Sequence, residues 1–224
     1  MSKSLSARLI ALRRPPVLVM ESDGPFVPQG VSLSKVDQRW TEFCATRPRA
    51  FDGRIAHVLG VHRNGHGGAS IHLADCAYRF YAVQSPTLDL GIRPLGVKAI
   101  VQKGNQVLTG KRADWVRSYA GMWECAPAGG VPPGSKPEEV ICEELMQETG
   151  LVALHEPIAI ALLFDPHATS WEIVYRLAAS DGELNPQTDE YAELRWCHVN
   201  DMPQPLSHIA QRMTSLFATG KPDQ

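Results

Sequence analysis

The stretch Gly129-Gly-Val-Pro-Pro-Gly-Ser-Lys-Pro-Glu-Glu-Val-Ile-Cys-Glu-Glu-Leu-Met-Gln-Glu-Thr-Gly150-Leu151 carries the strongest signal of fold in this chain. It begins as a loop rich in glycine and proline. It continues with residues that are typical of the start and the end of a helix, here over 136–149. Ser135 and Glu138 have the spacing of a capping box. Gly150 suits the left-handed position that ends many helices. The stretch therefore predicts a loop followed directly by one helix.

Two carboxylates lie one turn apart on this predicted helix. Glu144 and Glu148 are four residues apart, about 6 Å along a helix axis, beside the apolar face that holds Ile141 and Leu145. Such a pair next to an irregular loop suits a hard cation such as Mg²⁺, which prefers oxygen ligands and shares substrate phosphates. A solvated acidic helix face has the same spacing, so the spacing alone leaves both interpretations open.

The stretch resembles the Nudix box, whose pattern is G-x5-E-x7-R-E-U-x-E-E-x-G-U, with U an aliphatic residue. Six of its nine defined positions agree, namely Gly129, Glu144, Leu145, Glu148, Gly150 and Leu151. Three positions depart from the pattern, since Ser135 and Gln147 replace glutamates and Glu143 replaces the arginine. The flanking segments 121–130 and 188–196 resemble the family's strands on either side of the box, so the resemblance covers about residues 93–218.

The resemblance implies an α/β fold, a Nudix-type α/β/α sandwich with a mixed sheet, over residues 93–224. Residues 1–92 are predicted to form a small α+β N-terminal module, with a helix over 34–47. The predicted strands of the chain are 16–20, 55–61, 78–83, 96–101, 106–109, 123–126, 158–163, 172–177 and 193–198. A glycine-rich turn is predicted at 64–68, a loop over 128–135 and a closing helix around 207–217.

The resemblance also implies a metal site and a pyrophosphohydrolase activity. Glu144 and Glu148 match the catalytic, metal-binding carboxylates, and the backbone carbonyl of Ala128 is a further implied ligand. Gln147 could ligate only through its neutral amide oxygen, and Glu143 removes an orienting arginine. Both departures put metal affinity and rate in question. The implied cofactor is Mg²⁺, with Mn²⁺ as the alternative.

Further site residues are predicted around the box. Nudix enzymes often draw a general base from a late loop or from the box. The late loop here holds Asp189, Glu190 and Glu193, of which Glu193 is the predicted catalytic residue. Solvated loop positions are the alternative for all three. Trp115 and Tyr119 are candidates for stacking on a base, with a place in the core or the pocket wall as the alternative for the tryptophan. The predicted substrate-binding residues are Arg112, Tyr119, Gly129, Gly130 and Glu190.

Three short segments of the chain indicate a substrate class. Phe51-Asp-Gly53, Val58-Leu-Gly-Val61 and Pro94-Leu-Gly-Val-Lys98 resemble a branch of the family that hydrolyses UDP-glucose and UDP-galactose. The first-choice substrate is therefore a nucleotide sugar, cleaved to a nucleoside monophosphate and a sugar 1-phosphate. The alternative is a non-catalytic nucleotide-binding module whose weakened box has lost turnover.

Composition narrows the remaining function classes. Lys plus Arg number 22 and Asp plus Glu 24, a net charge of −2, which gives no electrostatic reason to expect nucleic-acid binding. No apolar run approaches the length of about 18 residues that a membrane span needs. The basic stretch over 1–16 leaves an organellar transit segment as the alternative to the cytoplasmic location that we predict. The oligomeric state is left open.

Cysteine and histidine patterns argue against a structural metal. The five cysteines are widely spaced, without a C-x-x-C pair, which favours free thiols. His57, His62, His66 and His72 do not have the spacing of zinc ligands on a helix. The segment 104–112 has the wrong glycine spacing for a phosphate loop and is predicted to be a hairpin.

Overall fold

The computed structural model describes residues 8–21 and 24–217. Residues 1–7, where the basic N-terminal stretch starts, lie outside the described residues, as do 22–23 and 218–224. The strands are β1 (Arg8–Ala11), β2 (Val17–Met20), β3 (Arg54–Arg63), β4 (Ala69–Ala77), β5 (Leu95–Lys103), β6 (Gln106–Arg112), β7 (Trp123–Cys125), β8 (Ala128–Gly130), β9 (Ile158–Asp165), β10 (Ser170–Leu177) and β11 (Tyr191–His198). The helices are α1 (Leu33–Thr46), α2 (Tyr78–Ala82), α3 (Pro137–Thr149) and α4 (His208–Met213), with a 3-10 turn at Thr214–Leu216.

The strands form two sheets. The larger sheet has the order β1-β9-β10-β5-β6-β11, with β7 paired to β6 and β8 to β5. Strands β5 and β10 run parallel, whereas the other pairs of this sheet are antiparallel. The smaller sheet has the order β2-β4-β3. The predicted α/β fold with a mixed sheet is therefore confirmed.

Helices α3 and α4 pack on opposite faces of the larger sheet. Along β5, Val97 and Ala99 belong to the same buried cluster as Leu145 of α3. The neighbouring Ile100 belongs to a second cluster with Met213 of α4. Because side chains alternate between the two faces of a strand, these clusters lie on either side of the sheet. The arrangement is the predicted α/β/α sandwich.

The N-terminal part of the chain is joined to this sandwich in two ways. Strand β1 pairs with β9 in the larger sheet. Val58 of β3 and Ile71 of β4 belong to the same buried cluster as Val97 of β5. The smaller sheet therefore shares a core with the larger one, and the division of the chain at 92/93 stays a prediction.

The structure corrects three local predictions. The predicted strand 78–83 is helix α2, which buries the consecutive residues Phe80, Tyr81 and Ala82, whereas a strand with one solvent face buries alternate residues. The capping box is wrong because α3 starts one residue later, at Pro137. Its N-cap residue is Lys136, whose side chain makes no capping hydrogen bond and donates to Glu139 instead. The first three residues of the predicted loop 128–135 form β8, because they pair with residues 96–98 at the start of β5.

Other predictions are confirmed with small changes of boundary. Gly150 ends α3 in the left-handed region, with φ of 77°. The turn at 64–68 is closed by Asn64, whose side-chain oxygen accepts hydrogen bonds from the amides of His66 and Gly68. The closing helix is shorter than predicted and ends in the 3-10 turn. The five cysteines are free. Within the described part of the chain, no helix has the length and apolar character that crossing a membrane requires.

Candidate active site

Helix α3 positions the two carboxylates of the box. Ile141 and Leu145 are fully buried and fix the inner side of the helix against the sheet. Glu148 lies one turn from Glu144 on this inner side and is only 1% exposed. Burial of a charged group is costly unless the group is paired or bound to a cation. The placement of Glu148 therefore needs a partner.

Half of the Glu148 carboxylate has no partner among the described residues. Its Oε2 atom accepts a hydrogen bond of 2.9 Å from the backbone amide of Ala128. Its Oε1 atom is buried and makes no hydrogen bond within the described chain. Burial raises the pKa of Glu148 well above its usual range, against the opposing effect of the Ala128 amide. A buried oxygen left in this state is a natural ligand for a cation.

Glu144 is the second carboxylate, and Gly129 makes room for it. A Cβ atom at position 129 would overlap the Glu144 carboxylate, so any residue other than glycine would displace it. Burial, together with the negative charges of Glu190 and Glu143 and against the cation of Arg112, raises the pKa of Glu144 to about 7. Glu144 is thus a half-buried carboxylate with two further carboxylates near it, and a divalent cation would neutralise their negative charge.

These residues suit a hard divalent cation. Glu144 and Glu148 offer carboxylate oxygens, the ligand type that Mg²⁺ prefers. The Oε1 atom of Glu148 is buried without a hydrogen-bond partner in the described chain, so it is free to bind a cation. Across residues 8–21 and 24–217, no three His, Cys, Asp or Glu side chains form a metal-binding group. The rest of a coordination shell would therefore come from backbone, water or substrate phosphate oxygens.

Glu144 opens onto a cleft of about 1020 Å³, whereas Glu148 is buried and does not line it. One wall comes from the box and its neighbours and includes Glu144 and Glu190. The other wall comes from the N-terminal segment between α1 and β3 and includes Arg49 and Phe51. The cleft thus has an acidic side and a side that carries cations and an aromatic ring.

A buried network of charges lies along the floor of the cleft. Lys98 pairs with Glu124 at 2.9 Å, and both side chains are nearly inaccessible. Arg112 reaches Glu124 at 3.3 Å and Glu190 at 3.3 Å, so it joins this floor to the late loop. Burial raises the pKa of Glu172 to about 7, against the opposing charge of Lys98. The network holds Arg112 in place beside the carboxylates of the box.

Most of the predicted site residues meet in this cleft. Its lining includes Arg112, Tyr119, Ala128, Gly129, Gly130, Glu144 and Glu190. The Tyr119 hydroxyl donates to both oxygens of Asp165 at 2.9 Å, which occupies its hydrogen. Tyr119 therefore contributes its ring to the lining, whereas its hydroxyl hydrogen is already donated to Asp165.

Three predicted site residues lie outside this lining: Glu148 is buried, whereas Gln147 and Glu193 are exposed. Gln147 is exposed and lies outside the lining of the cleft, with its backbone carbonyl accepting from the amide of Gln187. Glu193 is exposed on β11, outside the lining, and pairs with Arg195 at 3.6 Å. No contact supports the ligand role of Gln147 or the catalytic role of Glu193, and both assignments stay predictions.

Several residues of the cleft were missed by the sequence analysis. Lys98, Glu124 and Glu172 each stand between two apolar residues of a strand, and that position is the signal that could have found them. Arg117 also lines the cleft, and its Nη1 atom is buried without a hydrogen-bond partner in the described chain. Burial of a charged side chain costs free energy unless the charge is paired or binds a ligand.

Comparison with known families matches residues 92–217, more than half of the chain, to the NUDIX domain. The chain belongs to the NUDIX domain family. This assignment confirms the resemblance found in the box, including its boundaries to within a few residues.

The NUDIX chain has curated relatives that it matches over part of their length. It is 26% identical to NAD-capped RNA hydrolase NudC of Stutzerimonas stutzeri (strain A1501) over 137 residues, which cover 61% of this chain and 45% of that protein. It is 29% identical to the protein of the same name from Pseudomonas syringae pv. tomato, over 46% of this chain and 36% of that protein. The matched region thus spans less than half the length of these relatives.

Solved structures are also similar to this NUDIX chain. A MutT NUDIX hydrolase from Burkholderia pseudomallei is 25% identical, with a TM-score of 0.48, over 54% of this chain and 95% of that chain. The NUDIX domain of Shewanella oneidensis NrtR, solved with ADP ribose, is 18% identical, with a TM-score of 0.46, over 61% of this chain and 92% of that chain.

Proposed function

We propose that this NUDIX chain hydrolyses the diphosphate linkage of a nucleoside diphosphate joined to another group, with a divalent cation as cofactor. The observation that carries the proposal is the free, buried Oε1 atom of Glu148, one helical turn from Glu144. Glu144 lines a cleft that is large enough for a nucleotide, and Glu148 is buried one helical turn from it. Membership of the NUDIX family supports the same reaction class.

In an in-line attack by water, the residues at the cleft would have three roles: to bind the cation, to stabilise negative charge and to accept a proton. Glu144 and Glu148 would hold the cation, which when bound offsets the negative charge of the phosphates and lowers the pKa of water. Arg112, fixed by Glu124, presents a cation beside this site and would stabilise the charge that develops on the phosphate oxygens. Glu190 is the late-loop carboxylate that lines the cleft. We therefore assign the proton-accepting role to Glu190 in preference to Glu193.

Two kinds of substrate compete within this class. The short N-terminal segments that resemble a UDP-sugar branch favour a nucleotide sugar. The curated relatives are named for NAD-capped RNA, which favours NAD or another substrate with two nucleoside halves. A net charge of −2 favours a small-molecule substrate over RNA. The choice of a small molecule stays a prediction.

The test is a substrate panel with the full chain. UDP-glucose, ADP-ribose and NAD would be incubated with Mg²⁺ or Mn²⁺, with and without EDTA, and the nucleoside monophosphate released would be quantified. We expect metal-dependent release from at least one substrate and none with EDTA. Tight nucleotide binding without turnover in every arm would instead support the non-catalytic module.

A further inference from the structure

The cleft is lined by two aromatic side chains that remain exposed. Phe51 is 77% exposed and Trp115 is 45% exposed. Both line the cleft, whereas the other large apolar side chains exposed in the described ranges lie outside its lining. Exposed aromatic surface is costly in water, and when it is confined to a cleft it is typical of a ligand site.

The backbone on one side of Phe51 is firmly held. The carboxylate of Asp52 accepts a hydrogen bond of 2.8 Å from the amide of Arg79. The carbonyl of Gly53 accepts another, also of 2.8 Å, from the amide of Tyr78. A Cβ atom at position 53 would come within 2.7 Å of the Phe51 ring, so the ring rests against a glycine. Phe51 is thus presented by an anchored segment, which lowers the entropy cost of binding.

Trp115 is also fixed, and it connects the two walls of the cleft. Its indole N–H donates to the backbone carbonyl of Asp189 at 3.2 Å. The Arg49 guanidinium lies 4.9 Å from the ring centroid and pairs with the Asp189 carboxylate at 2.7 Å. Trp115 is therefore held against the loop that carries Glu190, while Arg49 ties the segment of Phe51 to the same loop.

We propose that Phe51 and Trp115 form a binding site for a nucleobase of the substrate, with Phe51 supplied by the N-terminal part of the chain. A nucleobase has a flat apolar face, and stacking of a base on an aromatic side chain is tolerant of base identity. This inference rests on the proposed function, because it places one half of that substrate in the same cleft. It gives the N-terminal segment between α1 and β3 a direct role in recognition.

The test measures binding without turnover. Isothermal titration of the full chain with AMP, UMP and ribose 5-phosphate, without added metal, separates the base from the sugar phosphate. We expect the wild-type chain to bind AMP and UMP more tightly than ribose 5-phosphate. Phe51→Ala should weaken binding of both nucleotides about tenfold and leave ribose 5-phosphate unchanged. Phe51→Tyr, which keeps the ring, should retain the wild-type affinity.

Leu154→Ala is the matched control, because Leu154 is 57% exposed in a loop outside the cleft. It should bind all three ligands as the wild type does. An absence of preference for nucleotides in the wild type, or an unchanged affinity in Phe51→Ala, would overturn the inference. So would a change of oligomeric state in Phe51→Ala without a change in nucleotide affinity, which would place Phe51 in a contact between copies.

This outcome is separable from that of the proposed function. Nucleotide binding that depends on Phe51, combined with no hydrolysis in the substrate panel, would overturn the proposed reaction alone. Metal-dependent hydrolysis with no effect of Phe51→Ala on binding would overturn the nucleobase site alone.

Discussion

The inner and outer sides of helix α3 differ sharply in burial. Leu145 and Glu148 are buried on the inner side, and Glu144 beside them faces the cleft. Glu143 and Gln147, only one position away from the two carboxylates, are exposed. Successive residues of a helix point about 100° apart, so a single step along the chain is enough to separate a site residue from a solvated one.

This difference changes how the departures from the Nudix pattern should be interpreted. The positions that match the pattern include the inner residues Leu145 and Glu148, whereas the departures at 143 and 147 lie on the outer side. The inner pair of carboxylates is therefore intact in a box that matches only partly. We expect substitutions on the inner side to alter catalysis strongly and those on the outer side to alter it weakly.

The largest effect is expected from Glu148→Gln. The neutral amide removes one negative charge from the cation site, so kcat should fall at least about tenfold, equivalent to about 1.4 kcal/mol of barrier. Its oxygen can still accept from the amide of Ala128, so the fold should persist. The measurement is kcat at saturating Mg²⁺ on the best substrate of the panel, with circular dichroism to check folding.

Glu143→Gln is the matched control for Glu148→Gln. It removes the same charge from the exposed side of the same helix, and the rate should change by less than about twofold, as for most surface substitutions. If the two variants lose activity equally, burial does not distinguish the two sides of α3.

Gly129→Ala tests the packing of the inner side without changing any charge. The added methyl group would overlap the Glu144 carboxylate and force it to move. We expect a loss of about threefold to tenfold in kcat, because misplaced reacting groups are costly. Gly130→Ala is the control, since a Cβ there meets no atom within 4 Å. A similar loss in both variants would show that the loop, and not Glu144, is the sensitive element.

A smaller effect is expected from Glu143→Arg on the pH dependence. Glu143 is one of the negative charges that raise the pKa of Glu144 to about 7. Replacing it by a cation lowers that pKa, so Glu144 stays ionised at lower pH and the acidic limb of the pH–rate profile moves to lower pH. Because Glu143 is exposed to solvent, which screens its charge, we expect a shift of only about 0.3 pH unit. A shift to higher pH would contradict the assigned direction.

The smallest effect is expected from Gln147→Glu. The position is exposed and outside the cleft, so the Mg²⁺ concentration for half-maximal rate should change by less than about twofold. Titration of the rate with Mg²⁺ makes the measurement. A marked tightening would place residue 147 at the cation, as the box pattern alone predicts, and would break the contrast between the two sides of α3.

Local pattern was sufficient for the helix, its two carboxylates and most of the strands. The spacing of Glu144 and Glu148, the apolar positions between them and the closing Gly150 are properties of neighbouring residues, and the structure has α3 at Pro137–Thr149. The apolar residues that mark the strands of the larger sheet also form patterns among neighbouring residues, which can be recognised in the sequence. The sequence by itself therefore determined the α/β class and the core of the candidate site.

Only the tertiary structure decided which residues meet across the cleft. The segment 78–83 has strong strand propensity, yet it forms α2 because its buried neighbours come from distant parts of the chain. Glu190 and Glu193 are equivalent candidates in the sequence. In the structure Glu190 directly precedes β11 and lines the cleft, whereas Glu193 lies on β11 outside the lining. Phe51 and Trp115 are 64 positions apart in the sequence and line the same cleft because the smaller sheet packs on the larger one. Contacts of this kind depend on long-range packing, which no local pattern encodes.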